Sequence, residues 1–191
     1  MFNLPNILTL SRIVAIPIFV VLYFYQPYYS ETPVFSWVNF WLVAVFAITS
    51  ITDYLDGYLA RKMQLTSKLG AFLDPVADKL MVSTALVLLV DFYQMWFITV
   101  ASLIIIMREI IVSALREWMS SLGESSSIKV AWLGKVKTFV QIFAILFLLY
   151  QQSFFGLPSF EIGIVLLFFA TILTIWSGFI YLKIALKSFD S

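Results

Sequence analysis

Long apolar runs alternate with short polar ones along this chain, and six of the runs are long enough for the roughly 20 residues that a bilayer-crossing helix needs. The pattern predicts an all-α polytopic membrane protein with six transmembrane helices: Asn6 to Tyr25, Ser36 to Arg61, Gly70 to Val90, Trp96 to Trp118, Val130 to Tyr150 and Glu161 to Leu186. Pro5 falls at a helix start, and Pro17 is expected to kink the first span. Gln26 to Pro33 is a polar turn with aromatic residues suited to a membrane interface. Asp91 to Met95 reads as a tight loop, SSLGESSSIK as a Ser- and Gly-rich connector and QQSFFGLPSF as the turn into the last span. No basic n-region or small-residue cleavage site marks the N-terminus, so the first apolar run is expected to be a retained span. With no internal repeat, residues 1–191 read as one membrane domain.

Composition agrees with the pattern and narrows the chemistry. The chain is 62% hydrophobic and 12% charged, about half the charge fraction of a soluble domain. It has no cysteine, which excludes disulfides and thiolate chemistry. It also has no histidine, the usual general base and transition-metal ligand, so acid–base work falls to carboxylates. The net charge of +1 says little until the charges are placed. Six alternating spans with both termini on one side gather all twelve Lys and Arg on that side, leaving Glu31, Asp91 and Glu161 opposite. By the positive-inside rule the basic side, with both termini, is cytoplasmic.

Against this background the run DYLDGYLARKMQLTSKLGAFLDPVADK, which opens at Asp53, stands out. At about 100° per residue, Asp53, Asp56, Gly57 and Ala60 share one stripe of a helix. Gly70, Asp74 and Asp78 share a stripe of the next helix, at the same membrane face. Gly57, Ala60, Gly70 and Ala71 are small enough to let the two backbones approach. Converging carboxylates in a poorly solvated place repel unless cations neutralise them. Hard, oxygen-liking ions, Mg2+ or Mn2+, suit such a site. Two of them about 3.5–4 Å apart would serve displacement at phosphorus. Read alone, Asp74 before Pro75 is an N-cap and first helical position, and the helix either starts there or bends. Intramembrane carboxylates taken as a group point instead to function.

The spacing D-x2-D-G-x2-A-R-x8-G-x3-D-x3-D resembles the signature of the CDP-alcohol phosphatidyltransferases at all eight fixed positions. The resemblance implies that Asp53, Asp56 and Asp74 bind two metal ions, and that Asp78 is the catalytic base with a metal-ligand role as well. It implies that Asp56, Gly57, Ala60, Arg61 and Gly70 shape the CDP-diacylglycerol site, with Asn6 and Thr9 on the substrate diphosphate. Asn6, Thr9 and Arg12 share one face of the first span. The plainer account of this face has Asn6 capping the helix and Arg12 snorkelling to the interface. The resemblance further implies a homodimer in a bacterial inner membrane, with one cytoplasm-facing site per chain.

A second polar cluster interrupts the fourth and fifth spans. Arg108, Glu109, Ser113, Arg116 and Glu117 break an apolar helix, and Glu109, Ser113 and Arg116 share a face. Lys129, Lys135 and Lys137 open the fifth span. Internal Arg–Glu pairing is the structural account. The functional account is a phosphate site in which Arg108, Arg116, Lys135 and Lys137 supply charge and Ser113 a further hydrogen bond. The segments REIIVSALREW and GKVKT, with the opening PNILTLSR, resemble those of family members whose acceptor is sn-glycerol 3-phosphate. The implied reaction moves a phosphatidyl group from CDP-diacylglycerol to that acceptor and releases CMP. A sibling transferase with another acceptor alcohol is the alternative within the family. A divalent-cation transporter and a membrane scaffold are the alternatives outside it.

Overall fold

The computed structural model describes residues 4–25, 37–63, 68–121, 131–152 and 156–189. Six α-helices and no β-strand occur among them: α1 Leu4–Phe24, α2 Trp37–Met63, α3 Lys68–Tyr93, α4 Trp96–Ser121, α5 Ala131–Tyr150 and α6 Ser159–Phe189. Side chains at 4–8, 54–63, 68–72, 74, 75, 78, 120, 131–133 and 187–189 lie outside the described set, as does the turn at 26–33.

Each expected span is found as a helix, with ends that differ by a few residues. Pro17 lies inside an unbroken α1. α3 begins at Lys68 and continues through Pro75, so the helix does not start at Asp74. The expected loop over 91–95 is a correction. Asp91, Phe92 and Tyr93 form the last turn of α3, and only Gln94 and Met95 connect it to α4. Two residues suffice because Gln94 takes a left-handed φ of 50° while its N–H still donates to Val90 O at 3.0 Å, an αL helix ending. Asp91 favours the helix because its carboxylate accepts a 2.6 Å hydrogen bond from the Tyr23 hydroxyl on α1.

Helices consecutive in the chain run antiparallel, so α1 and α3 lie parallel, as do α4 and α6. α5 packs on α6, α4 on α6, and α1 on both α2 and α3. One end of the bundle gathers the starts of α1, α3 and α5 with the ends of α2, α4 and α6, and the sequence places its basic residues there. Polar links tie the opposite end. Tyr23 donates to Asp91, Asn39 Nδ2 donates to Gln151 Oε1 at 3.1 Å, and the Tyr93 hydroxyl donates to Leu148 O at 2.8 Å. Tyr93 also packs on Phe160 of α6, with ring centroids 5.1 Å apart.

Between the ends lies a core of Phe19, Leu42, Phe46, Met81, Leu86, Leu89, Ile98, Ile105, Ile145 and Leu148, among others. The outward faces are apolar too: Ile18, Val21, Trp41, Ile48, Leu103, Ile110, Phe168 and Trp176 are all exposed. A surface of this kind is at home in lipid rather than water. α4 over Trp96–Met119 and α6 over Ser159–Leu186 are long and apolar enough to cross a membrane, while the apolar parts of α1 and α2 are shorter. In lipid, burying apolar surface between helices gives little driving force, and close packing carries the association. Gly163 serves this need. A Cβ there would lie 2.8 Å from Leu148 Cγ and 3.2 Å from Leu148 N, so only glycine lets α5 and α6 meet so closely. Thr49 and Thr174, buried inside the bundle, are satisfied within their own helices, donating to Val45 O at 2.9 Å and Ala170 O at 2.6 Å, whereas the buried Ser102 and Ser159 hydroxyls find no partner among the described residues.

Candidate functional site

The basic end of the bundle carries two polar groupings. The first joins α1 and α2. Arg12, only 3% exposed, forms an ion pair with Asp53, whose side chain is 39% exposed. Arg12 therefore does not snorkel to an interface as the plainer account expects. An inward guanidinium has to find an anion, and Asp53 is that anion. Thr9, one turn earlier on α1, is fully buried. Asn6 lies inside the first turns of α1 rather than capping it, because the helix has begun by Leu4; its side chain is outside the described residues.

Asp56, Gly57, Ala60 and Arg61 fall on the last turns of α2. Gly70, Asp74 and Asp78 fall on the first turns of α3. Their side chains lie outside the described residues, and with them the expected facing of the two acidic stripes and the geometry of a metal cage. Among the residues that are described, no group of three or more potential ligands forms a metal site.

The second grouping joins α3, α4, α5 and α6. Glu109 stands at its centre. Lys137 of α5, with a side chain only 2% exposed, forms an ion pair with the Glu109 carboxylate, and Arg108 Nη1 reaches the same oxygen at 3.3 Å. Arg108 Nη2 donates to Ser177 Oγ on α6 at 2.9 Å. Gly178 lies beside it, with room for the arginine stem to cross the helix. Arg116 donates to the Tyr181 hydroxyl at 2.7 Å, and its guanidinium sits 4.7 Å from the Tyr181 ring centroid. Arg108 flanks the same ring at 5.8 Å, so both arginines gain a cation–π contact.

Several expectations meet this geometry. Arg108, Ser113, Arg116 and Lys137 are brought to one region, while Lys135 is exposed on α5 and makes no contact with the cluster. Internal Arg–Glu pairing is present, through Arg108. Arg116 pairs with Tyr181 rather than with Glu109, whose carboxylate is held by Lys137 and Arg108. Two participants escape a reading of the sequence. Lys79 of α3 donates to Ser113 Oγ of α4, and Tyr181 of α6 organises the arginines. Lys79 follows Asp78 directly and could have been noticed for that. Tyr181 gives no local signal.

The family model for CDP-alcohol phosphatidyltransferases matches residues 2–176, and the chain belongs to that family. Within it, the chain is 45% identical over 184 residues to the CDP-diacylglycerol–glycerol-3-phosphate 3-phosphatidyltransferase of Salmonella typhimurium, covering 96% of this chain and 95% of the relative. The enzyme of the same name from Pectobacterium atrosepticum is 46% identical over the same lengths, and that of Shigella flexneri 44%.

Proposed function

We infer that this chain transfers the phosphatidyl group of CDP-diacylglycerol to the 1-hydroxyl of sn-glycerol 3-phosphate, giving phosphatidylglycerol phosphate and CMP. The observation that carries this is identity of about 45% with transferases of that name along 96% of the chain. The cationic cluster on α3 to α6, at the same end of the bundle as the signature, supports it. The six helices are read as six spans of a bacterial inner membrane, with both termini and the site facing the cytoplasm. A homodimer is part of the same reading.

The donors on α2 and α3 suit divalent metal. They are carboxylates in a chain without histidine or cysteine, which fits a hard ion such as Mg2+ or Mn2+. The Asp53 carboxylate is partly exposed at the bundle end while it pairs with Arg12. Asp53, Asp56, Asp74 and Asp78 would hold two ions. When bound, the metals supply positive charge at the diphosphate and at the departing CMP.

The chain's own residues do the rest. Asp78 accepts the proton of the glycerol 1-hydroxyl as that oxygen bonds to the lipid-linked phosphorus, and the bond from this phosphorus to the bridging oxygen of CMP breaks. Asn6, Thr9, Gly57, Ala60, Arg61 and Gly70 hold the CDP-diacylglycerol. Arg108, Arg116 and Lys137 present positive charge to the acceptor's phosphate, with Arg suited to bidentate grip.

The test is purified protein in mixed micelles with CDP-diacylglycerol and a panel of acceptors: glycerol 3-phosphate, inositol phosphate and phosphatidylglycerol. CMP release with glycerol 3-phosphate is the expected result. Release with another acceptor and not with glycerol 3-phosphate would replace the substrate assignment.

A further inference from the structure

Lys79 belongs to neither the eight-position signature nor the acceptor residues expected from sequence, yet it enters the described cluster from α3. Its ammonium donates to Ser113 Oγ on α4. Ser113 in turn donates its only hydroxyl hydrogen to Glu109 O, one helical turn back, at 2.5 Å. A serine hydroxyl has one hydrogen to give. Ser113 is therefore spent as a donor: it accepts from Lys79, gives to the backbone, and has none left for a ligand. Lys79 has three N–H bonds, and Ser113 is the acceptor of one. The role expected of Ser113 thus passes to the lysine it holds.

Charge leads to the same residue. Among the described residues, Lys79, Arg108 and Lys137 gather about the Glu109 carboxylate, with Arg116 beside Arg108 on Tyr181, four cations to one carboxylate. Such an excess inside a membrane bundle is costly without a further anion. Among the described residues, Glu109 is engaged by Lys137 and Arg108, whereas Lys79 and Arg116 are hydrogen-bonded to neutral hydroxyls, those of Ser113 and Tyr181. Lys79 and Arg116 are therefore the cations whose charge is least offset by contact.

We propose that Lys79 is a direct ligand of the acceptor's phosphate group, steered to it by Ser113, and that it sets the preference for a phosphorylated acceptor. The proposal rests on the assignment of glycerol 3-phosphate as acceptor. Asp78 and Lys79 are consecutive on α3, so one helical turn carries both the base proposed for the attacking hydroxyl and a ligand for the phosphate two carbons away. The helix itself then fixes the spacing between the acceptor's two functional ends.

The experiment compares wild type with Lys79→Met, Lys79→Arg and Ser113→Ala in the mixed-micelle assay, with thermal unfolding recorded for each. Inorganic phosphate serves as a competitive probe against glycerol 3-phosphate. Lys79→Met is expected to raise the KM for glycerol 3-phosphate at least tenfold and the inhibition constant of phosphate in parallel, with the KM for CDP-diacylglycerol within twofold of wild type. Lys79→Arg is expected to restore most of the loss, and Ser113→Ala to cost two- to fivefold. The proposal is overturned if Lys79→Met leaves both KM values unchanged or raises them alike. An Lys79→Arg variant that folds yet is no better than Lys79→Met overturns it too. Wild type that releases CMP with another acceptor and not with glycerol 3-phosphate removes the substrate assignment and this proposal together. A wild type active with glycerol 3-phosphate beside an unaffected Lys79→Met removes the proposal alone.

Discussion

Glu109 of α4 and Lys137 of α5 form an ion pair inside the bundle, with the lysine side chain 2% exposed and the glutamate 25% exposed. Neither charge could stay ionised alone in such surroundings. Losing Lys137 leaves Glu109 with Arg108 alone as its ion-pair partner, and losing Glu109 takes a carboxylate from a buried ammonium; either costs about 3 kcal/mol, the low end for a buried pair. Glu109→Gln and Lys137→Met should each lower stability by about this amount in denaturant titrations of detergent-solubilised protein. The double variant should lose less than the two losses added. Strict additivity would mean that the pair contributes no coupling.

Arg116 has a different partner, and this sharpens its test. Its guanidinium rests on Tyr181, not on Glu109. Arg116→Ala should raise the KM for glycerol 3-phosphate by about tenfold or more, with little change for CDP-diacylglycerol. Tyr181→Phe keeps the ring and loses only the hydroxyl, so it should cost about threefold. Equal effects of Arg116→Ala on both substrates would assign the residue to structure.

Asp78→Asn removes the proposed base and keeps the shape of the side chain. Turnover should fall by about 100-fold or more, while magnesium-dependent CMP binding, followed by calorimetry, is largely kept. A variant with wild-type rate would exclude Asp78 from the proton transfer.

Chelation tests the carboxylate assignment. Excess EDTA should abolish CMP release, and Mg2+ or Mn2+ should restore it. Asp53→Asn should shift the magnesium concentration for half-maximal activity upward by about tenfold. Full activity in EDTA would remove metal from the reaction.

Gly163→Ala tests packing apart from chemistry. The added methyl would press on the side chain and backbone of Leu148, and overpacking of this kind costs about 1–3 kcal/mol. The melting temperature should fall, while the KM values of the protein that remains folded stay near wild type.

Hydropathy made the helices legible because each span is a local run of apolar residues. The signature was legible because its eight positions sit at fixed offsets within 26 residues. What escaped the sequence depends on contacts far apart in the chain. Asp91 reads as a loop residue until Tyr23, 68 positions earlier, is seen to hold it in α3. Arg12 reads as a snorkelling cation until Asp53 is found beside it. Ser113 reads as a hydrogen-bond donor for a ligand, but its single hydrogen goes to its own helix, and the lysine that takes over its role comes from α3. Lys135 and Lys137 look equivalent in GKVKT. Two residues amount to about 200° of helical rotation, enough to put one in solvent and the other in the interior.

The links from Tyr23 to Asp91, Asn39 to Gln151 and Tyr93 to Leu148 fasten α1, α2, α3 and α5 at the end away from the site, and Tyr93 also packs on Phe160 of α6. The site end is laced as well, by Arg12 to Asp53, Lys79 to Ser113, Lys137 to Glu109 and Arg116 to Tyr181, so polar ties close the bundle at both ends. Where greasy faces gain little by meeting, these ties act as rivets that fix which helix lies beside which.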